Sequence, residues 1–464
     1  MDSWLRPGAH VHLIGIGGIG LSAIARVLHG WGYEVSGSDR ERSPLTESLV
    51  GEGIRVFEGH RAEHVNSADV VVVSSAIPED NPEMAEAQRR ALPVVKREQF
   101  LRELTARKKT IAVAGTHGKT TTTAMISWIM MQAGLDPTFV VGGVLQNLGT
   151  NALAGAGPYF VIEADEYDRA FLGLQPEVTV LTAVEHDHPD CYPTFRQMRE
   201  AFASFVRSLV PGGLLIVCAD DPEAELLASE VLDREHRIET YGLSPDCDWW
   251  AEGFHLGNSA AFEVHHKGKR LGGCALQVPG KHNVLNALAA FAACADIGVD
   301  FGTAAAALTR FRGTQRRFEI KGRHDGVTVV DDYAHHPTEI RATLEAARIK
   351  FPGRAVWAVF QPHTFSRTAA LLDDFAQAFE DADHVLVTGI YGAREEDSHT
   401  ISGQDIVTRM GHPDVRYVDQ LDSAVQVLLD HVQPGDVVIT LGAGNGYLVG
   451  EELLVHLEAR EVGA

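Results

Sequence analysis

Cysteine is scarce: five residues in 464, at Cys191, Cys218, Cys247, Cys274 and Cys294, with no pair at C-x-x-C spacing. That pattern excludes a disulfide framework and a cysteine zinc site, and leaves ordinary reduced thiols. Basic residues are in deficit too. Lysine and arginine number 40 against 63 acidic residues, a formal net charge of −23, which disfavours a phosphodiester backbone as partner. No apolar run reaches membrane-spanning length, and no charged-then-apolar leader precedes the first strand at His10, so a soluble, cytoplasmic protein is expected. Internal repeats, low-complexity tracts and long linkers are missing, which points to compact units on short hinges. Neither a G-x-S-x-G elbow nor a cysteine with an evident histidine partner occurs, so a protein nucleophile has no candidate.

Glycine, by contrast, is plentiful at 45 residues, and two of its clusters carry chemistry. The first is Gly115-Thr116-His117-Gly118-Lys119-Thr120-Thr121, between the apolar run Thr110 to Ala114 and the helical stretch Thr122 to Gln132. A strand that delivers a glycine turn to a helix start aims backbone N–H groups and a helix dipole at one point, which suits a polyphosphate. Lys119 would neutralise β/γ-phosphates and the Thr120 hydroxyl would hold Mg²⁺. Val113 stands where the pattern G-x-x-x-x-G-K-[ST] has its first glycine, a departure that points to a particular branch of ATP users. The bland reading, a turn with an incidental surface lysine, does not account for the strand and helix flanks.

The second cluster is Gly15-Ile16-Gly17-Gly18-Ile19-Gly20, after the strand His10 to Ile14 and before a helix over 21–30. Asp39 follows at the end of the strand Glu34 to Gly37, where a dinucleotide fold has its ribose-binding acid. A further strand, Asp69 to Val73, runs into Ser74-Ser75-Ala76, a loop at a carboxyl end where ligands of open parallel sheets sit. These residues leave an NAD(P)-dependent dehydrogenase open. The motif itself demands only a diphosphate, or a closely packed helix.

Strand and helix alternate along most of the chain, so the expected class is α/β with three domains. Residues 1–106 form an N-terminal Rossmann-like domain, 107–318 a central P-loop ATPase-like domain, and 319–464 a C-terminal Rossmann-like domain. Trp249 to Gly280 breaks the rhythm and reads as a small antiparallel insertion in the central domain. In the last domain strands are expected at Val327 to Val330, Ala355 to Phe360, His384 to Val387 and Asp436 to Leu441, with helices at 338–347 and 369–379.

A nucleotide on Lys119 and Thr120 needs further Mg²⁺ ligands from neighbouring strand ends. Glu163, in Glu163-Ala164-Asp165-Glu166, fits a hard cation. His188, in Glu185-His186-Asp187-His188, is the less natural ligand, and a histidine that satisfies its loop is the alternative. Asp331 to Thr338 and Gln361 to Arg367 close later strands and would face a shared cleft; within them, Thr338 is expected to cap its helix.

Together, the P-loop, Glu163-Ala164-Asp165-Glu166, His282-Asn283 with Asn286, Arg316-Arg317-Phe318-Glu319 and Asp331 to Glu339 resemble the Mur ligases of peptidoglycan precursor synthesis, in order and along the whole chain. The Gly15 loop with Ser36-Gly37-Ser38-Asp39 narrows the resemblance to the branch that handles UDP-N-acetylmuramate and L-alanine. What it implies is an ATP- and Mg²⁺-dependent amide ligase that phosphorylates the lactyl carboxylate and then admits the amine. By the same resemblance Gly15, Ile16, Gly17, Gly18, Ile19, Gly20, Ser38, Asp39, Ser74 and Ser75 hold the UDP-sugar. Gly115 to Thr121, Asn283, Asn286, Arg317 and Asp332 hold ATP, and Thr120, Glu163 and His188 the metal. Lys119, Glu163, His188 and Arg317 are the catalytic set, and Tyr333, His335, His363 and Arg367 the alanine pocket, with Arg367 on the α-carboxylate. Thr364 departs from an arginine in relatives. Glu166-Tyr167-Asp168 also resembles a relative that adds a recycled murein tripeptide, whereas Pro337-Thr338-Glu339 favours alanine. The implied partners are small molecules, with neither nucleic acid nor membrane, and a monomer or homodimer. A nucleotide-binding regulator without turnover is the remaining alternative.

Overall fold

The computed structural model describes residues 4–463 apart from 75, 232–234, 258 and 398. Its strands gather into three sheets, each within one of the three alternating stretches of sequence.

The first sheet is wholly parallel, ordered Arg55–Glu58, Glu34–Asp39, His10–Ile14, Val70–Val73, Val94–Lys96. Its centre is built from β-branched residues: all four valines of Val70–Val73 are buried, as a strand covered on both faces requires. Strand order reverses between His10–Ile14 and Val70–Val73, so a crevice opens at their carboxyl ends, where the Gly15 loop and Ser74 lie.

In the middle sheet a parallel core runs Arg237–Gly242, Leu214–Cys218, Val178–Leu181, Lys109–Ala114, Tyr159–Glu163, Thr138–Leu145. Helix Lys119–Gln132 is buried on nearly every side from Thr122 to Met130. Its hydroxyls are satisfied inside the helix: Thr123 Oγ1 donates to Lys119 O at 2.8 Å and Ser127 Oγ to Thr123 O at 2.7 Å. Small side chains Ala287, Ala289, Ala290, Ala292 and Ala293 let the neighbouring helix Lys281–Asp296 share the same core. The antiparallel insertion forms strands Trp249–Leu256, Ala260–His266 and Lys269–Leu276, which do not make a separate layer. Tyr241 and Gly242 pair in parallel with Trp249 and Trp250, so the insertion extends the edge of the large sheet.

The last sheet is ordered Glu319–His324, Val327–Asp332, Val437–Leu441, Val356–Phe360, His384–Thr388, Val415–Val418, parallel except for its first pair. One expected helix differs: in place of a helix over 369–379 the chain forms Phe365–Ala370 and Leu372–Ala376, because Leu371 leaves helical geometry at φ −114° and ψ 22°. Thr338 is not the cap of helix Pro337–Lys350 either. His336 takes that position, its side chain accepting from Thr338 N, while the Thr338 hydroxyl turns to Glu185. Among the described residues no helix is long and apolar enough to cross a membrane.

Candidate active site

Val113 explains the shortened phosphate loop. It lies fully buried in strand Lys109–Ala114, so the turn begins only at Gly115. Gly115 has φ +131°, and a Cβ there would stand 2.0 Å from Thr182 Oγ1. Gly118, at φ +79°, caps helix Lys119–Gln132, and its Cβ would meet Asn286 Oδ1 at 2.7 Å. Neither position accepts a side chain. Thr116 N donates to Ala183 O at 2.8 Å, which docks the loop on the adjoining strand end.

Lys119 Nζ donates to Gly115 O at 2.6 Å, Thr116 O at 3.1 Å and Glu166 Oε1 at 2.8 Å. Burial opposes its charge, yet Glu166 and Glu163 outweigh that and raise its pKa. Thr120 Oγ1 donates to Glu163 Oε1 at 3.0 Å, and Gly142 N donates to Glu163 Oε2 at 2.6 Å. Burial pushes the Glu163 carboxyl up against the pull of Lys119. His188, at φ +52°, presents Nε2 to Glu166 Oε1 at 3.6 Å and Asp187 Oδ2 at 3.7 Å. The carboxylates it meets are therefore Glu166 and Asp187, two residues that the sequence presents without an evident role. The other oxygen of Glu166, Oε2, is buried with no hydrogen-bond partner.

Beside the loop lies a cavity of about 340 Å³, lined by Thr121, Tyr241, Asn283, Asn286, Arg317 and Asp332, among others. Asn286 accepts from Thr122 Oγ1 at 3.1 Å and donates to Asn283 Oδ1 at 3.2 Å, so the two amides are fixed to the P-loop helix. Asp332 accepts from Phe318 N at 2.7 Å and Ala334 N at 2.8 Å. Burial still pushes its carboxyl up to about 6. Arg317 lies 5.2 Å over the Tyr333 ring and 3.7 Å from Glu339.

His117 points across the domain boundary. Its Nε2 is 2.9 Å from Glu185 Oε2 and its Nδ1 3.2 Å from Glu339 Oε1, on helix Pro337–Lys350. Burial opposes the charged ring, but the two carboxylates prevail and push it up to about 10.

The four residues expected to receive the amino acid do come together. Tyr333 and His335 have ring centroids 5.5 Å apart, His335 and His363 6.0 Å, and Arg367 NH1 reaches His363 Nδ1 at 3.1 Å. Burial pushes both histidines down to about 3, so they are neutral at neutral pH. Arg367 already has a carboxylate partner: its Nε donates to buried Asp187 Oδ1 at 2.7 Å. Its NH2 also reaches His188 Nδ1 at 3.4 Å. Thr364 has φ +67° and its hydroxyl accepts from Arg367 N at 3.4 Å, so it shapes the turn that presents the guanidinium.

The Gly15 loop stands apart on the first sheet. Gly17 N donates to Asp39 Oδ2 at 2.8 Å, and Arg40 N to Asp39 Oδ1 at 2.8 Å, so the acid holds the loop itself. Gly18 caps helix Ile19–Gly30. Ser38 O accepts from Gly15 N and Ile16 N, while the Ser38 hydroxyl turns inward to buried Glu83 at 2.6 Å. Ser74 packs against Gly15, and Ser75 lies outside the described residues. Two contacts tie this loop to the P-loop domain. Asn151 Nδ2 donates to Ile19 O at 3.3 Å, and Arg97, whose guanidinium adjoins Gly20, donates to Asp165 Oδ2 at 2.5 Å. Arg97 and Asp187 are residues that sequence reasoning did not assign.

Three family models match in series: the Mur ligase family catalytic domain over 10–109, the Mur ligase middle domain over 113–294, and the Mur ligase glutamate ligase domain over 316–444. A UDP-N-acetylmuramate–L-alanine ligase of Geobacter sp. (strain M21) is 45% identical over 454 residues, covering 97% of this chain and 98% of the relative. Among solved structures, the UDP-N-acetylmuramate–alanine ligase of Thermotoga maritima matches with a TM-score of 0.82 and 31% identity, covering 97% of this chain and 99% of that one. A murein peptide ligase from Psychrobacter arcticus matches over the same shares with a TM-score of 0.72 and 29% identity. With three consecutive models and a relative 45% identical over 97% of the sequence, this chain belongs to the Mur ligase family.

Proposed function

We propose that the chain joins L-alanine to the lactyl carboxylate of UDP-N-acetylmuramate at the expense of ATP, through an acyl phosphate, in the cytoplasm. The observation that carries this reading is the 3.4 Å contact between Arg367 NH2 and His188 Nδ1, where the residues suited to an amino acid meet those suited to a phosphoryl group. Activation and capture of the same carboxyl need that adjacency.

The Gly15–Gly20 loop takes the UDP diphosphate on backbone N–H groups at the start of helix Ile19–Gly30. Gly115 to Thr121 cradle the ATP phosphates, Asn283 and Asn286 flank the base, and Asp332 accepts from the ribose. Lys119 exchanges the Glu166 carboxylate for the γ-phosphate and holds its charge as the lactyl oxygen attacks phosphorus and ADP leaves. Arg317 adds a second fixed positive charge.

Thr120 and Glu163 supply hard oxygen donors 3.0 Å apart, and Glu166 adds a buried carboxylate oxygen without a partner, a set that fits Mg²⁺. Those residues, with His188 at the edge, would hold it. When bound, Mg²⁺ supplies charge neutralisation at the phosphate oxygens.

In the second half, Arg367 pairs with the α-carboxylate of L-alanine. His335 donates through Nδ1 to Tyr333 O at 2.9 Å, which leaves Nε2 to accept from the amine and orient it. The amine attacks the acyl carbon, phosphate departs with the electron pair of its C–O bond, and the proton lost by the amine passes to that phosphate.

Phosphate release in the presence of ATP, Mg²⁺, UDP-N-acetylmuramate and L-alanine tests the reading. Release that requires both acceptors supports it, and hydroxylamine should trap the acyl phosphate. Faster release with the L-Ala-γ-D-Glu-diaminopimelate tripeptide would shift the assignment to tripeptide recycling. NAD(P) binding without phosphate release would mark a dehydrogenase.

A further inference from the structure

At the mouth of the nucleotide cavity one oxygen, Glu185 Oε2, lies 2.9 Å from His117 Nε2 and 3.5 Å from His336 Nδ1. A donor atom of each of the three residues lies within 4.8 Å of those of the other two. Two ligands of a tetrahedral ion with bonds of the usual length are separated by about 3.3 Å. The two observed spacings bracket that value.

His336 supplies an independent sign. It is only 6% exposed, and its Nε2 has no hydrogen-bond partner. Its Nδ1 receives only a long contact from Thr338 N at 3.3 Å, and Glu185 Oε2 stands 3.5 Å from the same nitrogen, so an ion between them would take the ring's lone pair from that N–H. The surroundings are those of a ligated histidine: Glu339 backs His117 through its far nitrogen at 3.2 Å, and Thr338 Oγ1 donates to Glu185 at 2.8 Å. Such outer partners fix ring orientation and carboxylate direction.

We infer that His117, Glu185 and His336 form a site for one borderline divalent cation of the Zn²⁺ and Co²⁺ class, which ties the P-loop domain to the C-terminal domain. Two imidazoles and a carboxylate select such an ion over Mg²⁺, which keeps to oxygen donors such as Thr120 and Glu163. The ion takes the place of the proton between His117 Nε2 and Glu185, and that proton leaves to solvent. Because His117 and Glu185 follow the carboxyl ends of the adjoining strands Lys109–Ala114 and Val178–Leu181 of the middle sheet and His336 caps helix Pro337–Lys350, the ion clasps the two domains at the phosphate end of the cleft.

The test is titration of the full-length protein with cobalt chloride alone, followed by visible absorption, then with zinc chloride by calorimetry. The expected result is the intense absorption of four-coordinate Co²⁺, one ion per chain, displaced by Zn²⁺ and resistant to millimolar Mg²⁺. His336→Ala and Glu185→Gln should each weaken binding about tenfold or more, and Glu163→Gln should leave it unchanged. An absent band, affinity indifferent to both variants, or loss in Glu163→Gln overturns the site. Strong thiolate-to-cobalt absorption in the near ultraviolet overturns it as well, by assigning the ion to cysteine. Circular dichroism checks each variant's fold. Should His336→Ala misfold, Glu185→Gln decides the matter, since Zn²⁺ should raise the melting temperature of the unsubstituted protein and not that of the variant.

Discussion

Glu83 should hold the first domain together with about 3 kcal/mol, and Glu83→Gln should remove it. The carboxylate is fully buried, and its oxygens receive Ser38 Oγ at 2.6 Å, His64 Nδ1 at 2.6 Å and His60 Nδ1 at 3.2 Å. Burial alone would raise its pKa, but the neighbouring His12 ring, 3.9 Å away, and hydrogen bonds from Ser38 and His64 lower it from 4.5 to about 2. A difference of about 2.5 units is worth about 3.4 kcal/mol. Loss of one member of a buried charged cluster costs about 3–5 kcal/mol, so two routes agree. The sign is fixed by the direction of the shift. A depressed folded-state pKa gives stability that is complete above pH 4.5 and drains away as pH falls toward 2. Hydrogen exchange read by mass spectrometry on strand Glu34–Asp39 isolates this domain within the long chain. Opening should become easier by about 3 kcal/mol in Glu83→Gln at pH 7, with the gap narrowing below pH 4.5. Ser38 O also anchors Gly15 N and Ile16 N, so KM for the UDP-sugar should rise while KM for ATP holds. A gap under about 1 kcal/mol at pH 7, or one that stays constant down to pH 4, would refute the reasoning.

Lys119→Ala should abolish phosphate release yet leave UDP-sugar binding intact by calorimetry, because the two loops sit on different sheets; loss of both in a folded variant would contradict that division. Gly115→Ala sets a Cβ 2.0 Å from Thr182 Oγ1 at φ +131°, and should cost about 3 kcal/mol or more with ATP affinity lost, measured by thermal melts with and without nucleotide. Arg367→Lys keeps the charge but not the fork that spans Asp187, His363 and His188, so KM for L-alanine should rise about tenfold or more with KM for ATP unchanged. Equal rises in both constants would argue against an amino-acid role.

The glycine loops are legible because each includes a left-handed or closely packed turn that favours glycine, and the flanking strand and helix have strong periodic signals. Buried parallel strands such as Val70–Val73 announced themselves by β-branched runs. Short edge elements did not. Glu319–His324 and Val415–Val418 carry mixed, half-exposed residues, and the Thr138–Leu145 hairpin partner Thr150–Leu153 spans only four residues, too few for a period to stand out. The 369–379 helix was over-read for the opposite reason: its apolar spacing continues through Leu371, where the backbone breaks.

At the site, residue types were readable and their pairings were not. Arg367 is 180 residues from Asp187, and the two meet only because the loop after Val178–Leu181 and the helix Phe365–Ala370 converge between domains. Reading Arg367 as free for an α-carboxylate therefore omitted its competitor. Asp187 takes only Nε of the guanidinium and, held well below the usual carboxylate range by His188 and Arg367 against the cost of its burial, does not release it by protonation at neutral pH, so an incoming carboxylate must use NH1 and NH2, which now meet His363 and His188. On the proposed role of Arg367, reaching those nitrogens asks the helix that carries it to shift relative to the loop that carries Asp187 and His188. That same loop carries the residue proposed to border the metal, so on those proposed roles entry of the amino acid would be coupled to the geometry around the phosphoryl group through a contact that no local motif encodes.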